Sequence, residues 1–321
     1  MSNNTYAIIG SGALGGFYGA KLQKAGLEVH FLLHNDYQHV LENGLIIKSK
    51  DGDFNLPQVN AYNNTNKMPK CDVILIGLKT TENHLLAELL PQLLKENTVV
   101  LLLQNGLGAE PKIAKIVGED RVIGGVCNLA SNKVSFGYIH HIDYGLIRIG
   151  RYARNYQLAE ITNKMREITQ DFESAGVRVN LTEDLLLERW KKLVWNIPYN
   201  SLSVILDART DEMMGDANTK NLVIEIMREV LEGAKSCERQ IPNSYIQEML
   251  DHTDKLPPYL TSMKIDYERR RPLEIEGIID NPLRMASEVG VKLPKIGMLY
   301  QQLKFLDARN RQNFSIQRKI K

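Results

Sequence analysis

A glycine-rich stretch near the amino terminus, Gly10-Ser-Gly-Ala-Leu-Gly15, restricts the fold more than any other part of the chain. It directly follows a short apolar run, Tyr6 to Ile9, and opens a helical pattern that reaches about Ala25. Glu28 to Leu33 then reads as a second strand, so the segment begins a βαβ unit. Each glycine has its own task there. Gly10 permits the tight turn, Gly12 lets backbone approach a pyrophosphate, and Gly15 lets helix pack closely on strand. Exposed amides at the helix start bind the anion. Glycine turns are common, but one placed between a strand and a helix predicts a dinucleotide site made by Gly10, Ser11, Gly12, Ala13, Leu14 and Gly15.

The rest of the first half continues the alternation of strand and helix. Cys71 to Leu78 and Val99 to Leu103 are continuous apolar runs of strand length, as expected for a parallel sheet buried on both faces. Val122 to Val126 adds another, and the alternation from Lys133 to Arg151 predicts antiparallel strands at the sheet edge. A helix from Gln157 to Ser174 and a strand at Val177 to Asn180 complete this part. From Thr182 the pattern is helical throughout, with Thr182 a suitable N-cap and Glu183 and Asp184 suited to the first turn. Pro242, Pro257-Pro258, Pro272, Pro282 and Pro294 punctuate it into shorter helices. The expected architecture is α/β: a Rossmann-type doubly wound sheet over residues 1–181, then an all-α domain over 182–321.

Composition narrows the function classes. The chain has 321 residues, enough for two cores, with 43% hydrophobic and 24% charged residues and a net charge of +2. That balance gives no bias toward nucleic acid or membrane. Runs such as Val99 to Leu103 are too short to span a bilayer, and Met1-Ser-Asn-Asn-Thr lacks the marks of a signal peptide. Cys71, Cys127 and Cys237 have no disulfide or metal spacing. His140 and His141 would point to opposite faces of a strand, so no metal is expected. A cytoplasmic setting fits. The basic tail, with Arg309, Arg311, Arg318, Lys319 and Lys321, reads as a solvated terminus.

Lys192, Asn196 and Asn200 recur every fourth residue in an apolar stretch. In a helix each step of four advances about 400°, so the three share one slowly turning face. Trp190, Leu193, Val194, Trp195, Ile197 and Leu202 beside them read as core. An ammonium and two amides in such surroundings need partners or a polar ligand. This suits a site that holds a small oxygen-rich molecule and gives it a proton. At the carboxyl ends of the apolar runs stand Lys79 and the turn Gln104-Asn105-Gly106, where open α/β sheets bind ligands. Asn105 serves equally well as a plain turn residue or as a donor and acceptor to a nicotinamide. After Leu33 comes His34, neither an acid for a ribose 2′-hydroxyl nor an arginine for a 2′-phosphate. The reading leans to NADP, with Lys79 the candidate cation.

Taken in order, Ile9-Gly-Ser-Gly-Ala-Leu-Gly15, Leu78-Lys79, Gln104-Asn-Gly-Leu-Gly108, Trp190-Lys-Lys-Leu193 with Asn196 and Asn200, and Ser262-Met263 with Glu274-Ile275 resemble the 2-dehydropantoate 2-reductase (ketopantoate reductase) family over nearly the whole chain. The resemblance implies NADPH-dependent reduction of 2-dehydropantoate to (R)-pantoate, a step toward pantothenate and coenzyme A. It also implies a Rossmann domain, a helical domain and a site in the cleft between them. Carried onto matching positions, Lys192 is the general acid, while Asn196, Asn200 and Ser262 join it in holding the substrate. Glu274 orients the site near the nicotinamide ribose. Lys79, Asn105 and Ala130 contact the cofactor.

The chemistry suits these residue types. Hydride arriving at a ketone carbon leaves a developing alkoxide, which a partly buried lysine can both neutralise and protonate. Amides fix the hydroxyl and carboxylate of a 2-keto acid without adding charge. The chain departs from the family at His34, where arginine is usual, at Pro198 and Ser201 beside the asparagines, and at Tyr259, where a further substrate asparagine is common. Pro198 removes one helical hydrogen bond and is a candidate kink. Two other enzymatic readings are a reductase of another branched 2-keto acid and a 3-hydroxyacid dehydrogenase. Glu188-Arg-Trp-Lys191 lacks the glycines that the latter usually carries there. A non-catalytic NADP-binding sensor is the reading from a different class. The apolar helical half is compatible with a homodimer.

Overall fold

In the structure, a computed structural model, the first apolar run becomes β1 (Thr5–Ile9), followed by α1 (Ala13–Lys24) and β2 (Glu28–Leu32). Residues 2–256, 258 and 260–320 are described, residues 313–320 by backbone alone. Pro257, Tyr259, Lys321 and the side chains of Arg318 and Lys319 therefore lie outside the description. The chain divides into two compact units, Met1–Leu185 and Leu186–Lys321.

The first unit continues through α2 (Tyr37–Asn43), β3 (Leu45–Ser49), β4 (Phe54–Leu56), β5 (Asn60–Tyr62), β6 (Cys71–Ile76), α3 (Leu86–Leu89) and β7 (Leu94–Leu102). Then come α4 (Ala109–Val117), β8 (Val122–Ser135), β9 (Tyr138–Arg151), α5 (Asn163–Ser174) and β10 (Val179–Thr182). One sheet runs in the order β4-β3-β9-β8-β7-β6-β1-β2-β5, with β10 also on β9. Strands β8, β7, β6, β1, β2 and β5 pair in parallel. Helix α1 packs Phe17, Tyr18 and Leu22 into the core that covers β1 and β2. The α/β, doubly wound reading holds.

Several local expectations change. The antiparallel pair is one long hairpin of β8 and β9, and β9 is not an edge strand. Short β3 pairs with its first part and β10 with its last. The half-polar alternation that suggested an edge reflects β9 passing between different neighbours along its length. The helix expected from Gln157 starts only at Asn163, where Thr162 accepts the Met165 amide at 3.2 Å. Thr182 ends β10, and its hydroxyl accepts the Asp184 amide at 3.1 Å. It shapes the turn before the next helix rather than capping that helix.

The described elements of the second unit are helical: α6 (Leu185–Ile205), α7 (Thr210–Gly215), α8 (Ala217–Ser236), α9 (Ser244–Asp254), α10 (Ser262–Glu268), α11 (Asn281–Glu288) and α12 (Pro294–Ile320). Trp190, Val194 and Ile197 of α6 are fully buried, as are Val223, Ile226 and Val230 of α8. Trp195, expected in the core, is half-buried, and its indole donates to Thr253 Oγ1 at 3.0 Å. Helix α6 continues on both sides of Pro198.

Candidate active site

From β1 the chain builds β2 and β5 on one side and later β6, β7 and β8 on the other. The direction of winding reverses between β1 and β6, the point at which open α/β sheets bind ligands beyond their strand ends. The glycine turn stands there. Gly10 has φ +94°, and a Cβ on it would lie 2.3 Å from the Leu78 backbone nitrogen. A Cβ on Gly15 would lie 2.3 Å from the Gly10 carbonyl oxygen. Gly12, at the N-cap of α1, differs: its Cβ would meet nothing within 4 Å. The first turn of α1 carries no acidic residue, so its amides and helix dipole keep their attraction for an anion. This open backbone beside a packed turn fits a pyrophosphate.

Adjacent strand ends bring other expected residues to the same edge. Lys79 follows β6, Asn105 follows β7, and buried Ala130 lies on the long extension of β8 beyond its pairing with β7. Ser131 next to it donates to the Ala13 carbonyl at 3.4 Å, which brings this part of β8 to the start of α1. Sequence reasoning missed three supports. Gln104 Nε2 donates to the Leu78 carbonyl at 2.9 Å and to Asn83 Oδ1 at 2.6 Å, tying the Lys79 and Asn105 loops together. Tyr156 accepts the Gly108 amide at 3.0 Å and donates to buried Glu110 at 2.6 Å, anchoring the far end of the Asn105 turn. Lys133 on β8 reaches both the Ser11 carbonyl and Asp36. Only Gln104 had a local signal, its place at the end of a buried strand.

In the helical unit, α6 carries Lys192 half-buried, Asn196 at 6% exposure and Asn200 at 2%. Asn200 Oδ1 accepts the backbone amide of Met263 at 3.3 Å, so α6 holds the start of α10 and with it Ser262. Ser203 reinforces the junction at 2.7 Å from Thr261 Oγ1, and Thr261 caps α10 through the Lys264 amide at 3.2 Å. Buried Lys264 pairs with Asp207, just beyond α6, and with Glu268 at 3.2 Å. Burial pushes its ammonium pKa down, but the two carboxylates outweigh this and hold it above the usual lysine value. Tyr199 is pushed up to about 12 by burial and stays a neutral packing group. Glu274 is 6% exposed and stands just before a π-helical turn, Glu276–Asp280, a local form often found at functional sites. Among the described residues no His, Cys, Asp and Glu cluster suits a metal ion, and no helix is long and apolar enough to cross a membrane.

Residues 6–154 match the profile of ketopantoate reductase PanE/ApbA, and residues 184–307 match that of its C-terminal region. The chain belongs to the ketopantoate reductase family. A 2-dehydropantoate 2-reductase from Nostoc sp. is 61% identical over 311 residues, covering 97% of this chain and 98% of that protein. The crystal structure of 2-dehydropantoate 2-reductase from Geobacter metallireducens is 40% identical, with a TM-score of 0.90 over 94% of this chain and 99% of that one. D-mandelate dehydrogenase, solved with NADH and anilino(oxo)acetate, shares the fold at 20% identity and a TM-score of 0.84, covering 95% of this chain and 99% of that one. Ketopantoate reductases are oxidoreductases that use a nicotinamide cofactor on a small keto acid, and this chain is one of them.

Proposed function

We propose that the chain catalyses NADPH-dependent reduction of 2-dehydropantoate to (R)-pantoate, with the first unit binding the cofactor and the helical unit binding the keto acid. The observation that carries the substrate is the 61% identity to a 2-dehydropantoate 2-reductase along almost the full length of both proteins. The backbone opening at Gly12, together with the glycine packing around it, supports the cofactor half. Gly10, Ser11, Gly12, Ala13, Leu14 and Gly15 would hold the pyrophosphate, and Lys79, Asn105 and Ala130 the remainder.

When bound, the nicotinamide supplies a hydride to the ketone carbon. Lys192 delivers a proton to the ketone oxygen as negative charge develops on it, so the ketone gains one hydride and one proton and leaves as an alcohol. Asn200 spends its carbonyl oxygen on the Met263 amide, which leaves Nδ2 as the end that donates to a substrate oxygen. Asn196 and Ser262 donate to the hydroxyl and carboxylate of the acid. Glu274 orients the reacting groups. The apolar helical half is compatible with a homodimer, and light scattering on the purified protein tests that. The substrate is tested by following NADPH oxidation with 2-dehydropantoate and a panel of branched 2-keto acids. Turnover fastest on 2-dehydropantoate is expected; turnover on another keto acid alone would sink the assignment.

A further inference from the structure

The end of β2 is where a dinucleotide's adenosine ribose is read, by an acid for a 2′-hydroxyl or a cation for a 2′-phosphate. His34 and Asn35 are exposed there, and an imidazole carries no fixed charge as a guanidinium does. A cation nonetheless stands at this corner, brought by a strand far away in sequence. Lys133 of β8 donates to the Ser11 carbonyl at 3.4 Å and pairs with the carboxylate of Asp36. Ser11 in turn donates from its hydroxyl to the Leu32 carbonyl at 3.0 Å, so the glycine turn, the end of β2 and Lys133 meet in one place.

Asp36 carries the second observation. It occupies the N-cap of α2, where an aspartate ordinarily accepts an amide of the first turn. Its side chain makes no such bond, although that side chain is only 7% exposed. The carboxylate is turned onto Lys133 instead. This fixes the ammonium beside the turn and neutralises an acid that would repel a phosphate. An ammonium has three donors, and the Ser11 contact at 3.4 Å is a long one, so Lys133 can still donate strongly to an incoming anion.

We propose that Lys133 selects the phosphorylated cofactor by donating to the adenosine 2′-phosphate, and that Asp36 positions it. The proposal rests on the NADPH reading above and moves the selecting cation from Lys79, at the end of β6, to β8. Calorimetry with the purified full chain tests it, using adenosine 2′,5′-bisphosphate and 5′-AMP as probes. Wild type is expected to bind the bisphosphate more tightly. Lys133→Ala should weaken the bisphosphate at least tenfold and leave 5′-AMP unchanged, while Lys133→Arg keeps most of the preference. A Lys133→Ala protein that retains the preference, or loses both probes equally, would overturn the proposal and leave the NADPH reading intact. Wild type with no preference would overturn both.

Discussion

The glycine turn after β1 and the polar ladder on α6 do opposite things with side chains. At the turn, the proposed function depends on their absence: two glycines are packed against backbone, and a third has open space beside it. On α6, the proposed function depends on which polar groups project from a helix already held by buried Trp190, Val194 and Ile197. At Gly10 and Gly15, stability and ligand binding share the same atoms, so a substitution must damage both. Along the ladder the apolar face secures the helix, and the polar face can change its chemistry with the fold retained.

The largest expected effect comes from Gly10→Ala. Positive φ costs an ordinary residue about 1–2 kcal/mol, and contact with the Leu78 backbone adds to it, for a total above about 3 kcal/mol. Urea denaturation measures this, and unchanged stability would break the comparison at its first term. Asn200→Asp is next. The new carboxylate can still accept the Met263 amide, but it loses the Nδ2 donor and repels a keto acid's own carboxylate. KM should rise about 10- to 100-fold, roughly 1.4–2.7 kcal/mol, with kcat affected less. An unchanged KM would remove Asn200 from substrate binding. Gly12→Ala separates the two kinds of glycine: folding stability should move by no more than about 0.5 kcal/mol while NADPH binds about tenfold more weakly. Loss of stability with binding intact would reverse the assignment of the open position. Smallest is Ser201→Ala on α6, which removes a buried hydroxyl that has no hydrogen-bond partner among the described residues. A gain of about 1 kcal/mol in thermal or urea unfolding is expected, and a loss of that size would mean the hydroxyl is satisfied.

What could be read from the sequence divides along the same line. Glycine positions, strand-length apolar runs and the four-residue spacing of Lys192, Asn196 and Asn200 are local patterns, and local geometry fixes what they mean. They yielded the α/β class, the nucleotide turn and the helix that carries the ladder. Features made by distant pairing stayed hidden. Nothing in the alternation of residues 138–151 says that β3 covers one part of β9 and β10 another. Likewise the Asn200–Met263 bond, from one side chain to backbone, and the Lys133–Asp36 pair, between two side chains, join residues far apart in the chain. Thr182 reads as a helix cap and Asp36 stands at the N-cap of α2, yet the hydroxyl serves the preceding turn and the carboxylate serves a lysine. At Asp36 a tertiary contact overrides the local rule, whereas at Thr182 another local turn does.

The central claim is that a hydride-transfer enzyme draws its proton from the α6 ladder. The most direct measurement is steady-state oxidation of NADPH with 2-dehydropantoate, with wild type and Lys192→Ala assayed side by side at saturating substrate. The account predicts turnover by wild type, a fall in kcat of about 10²-fold or more in the variant, and little change in NADPH affinity. A variant that turns over at near wild-type rate would contradict it.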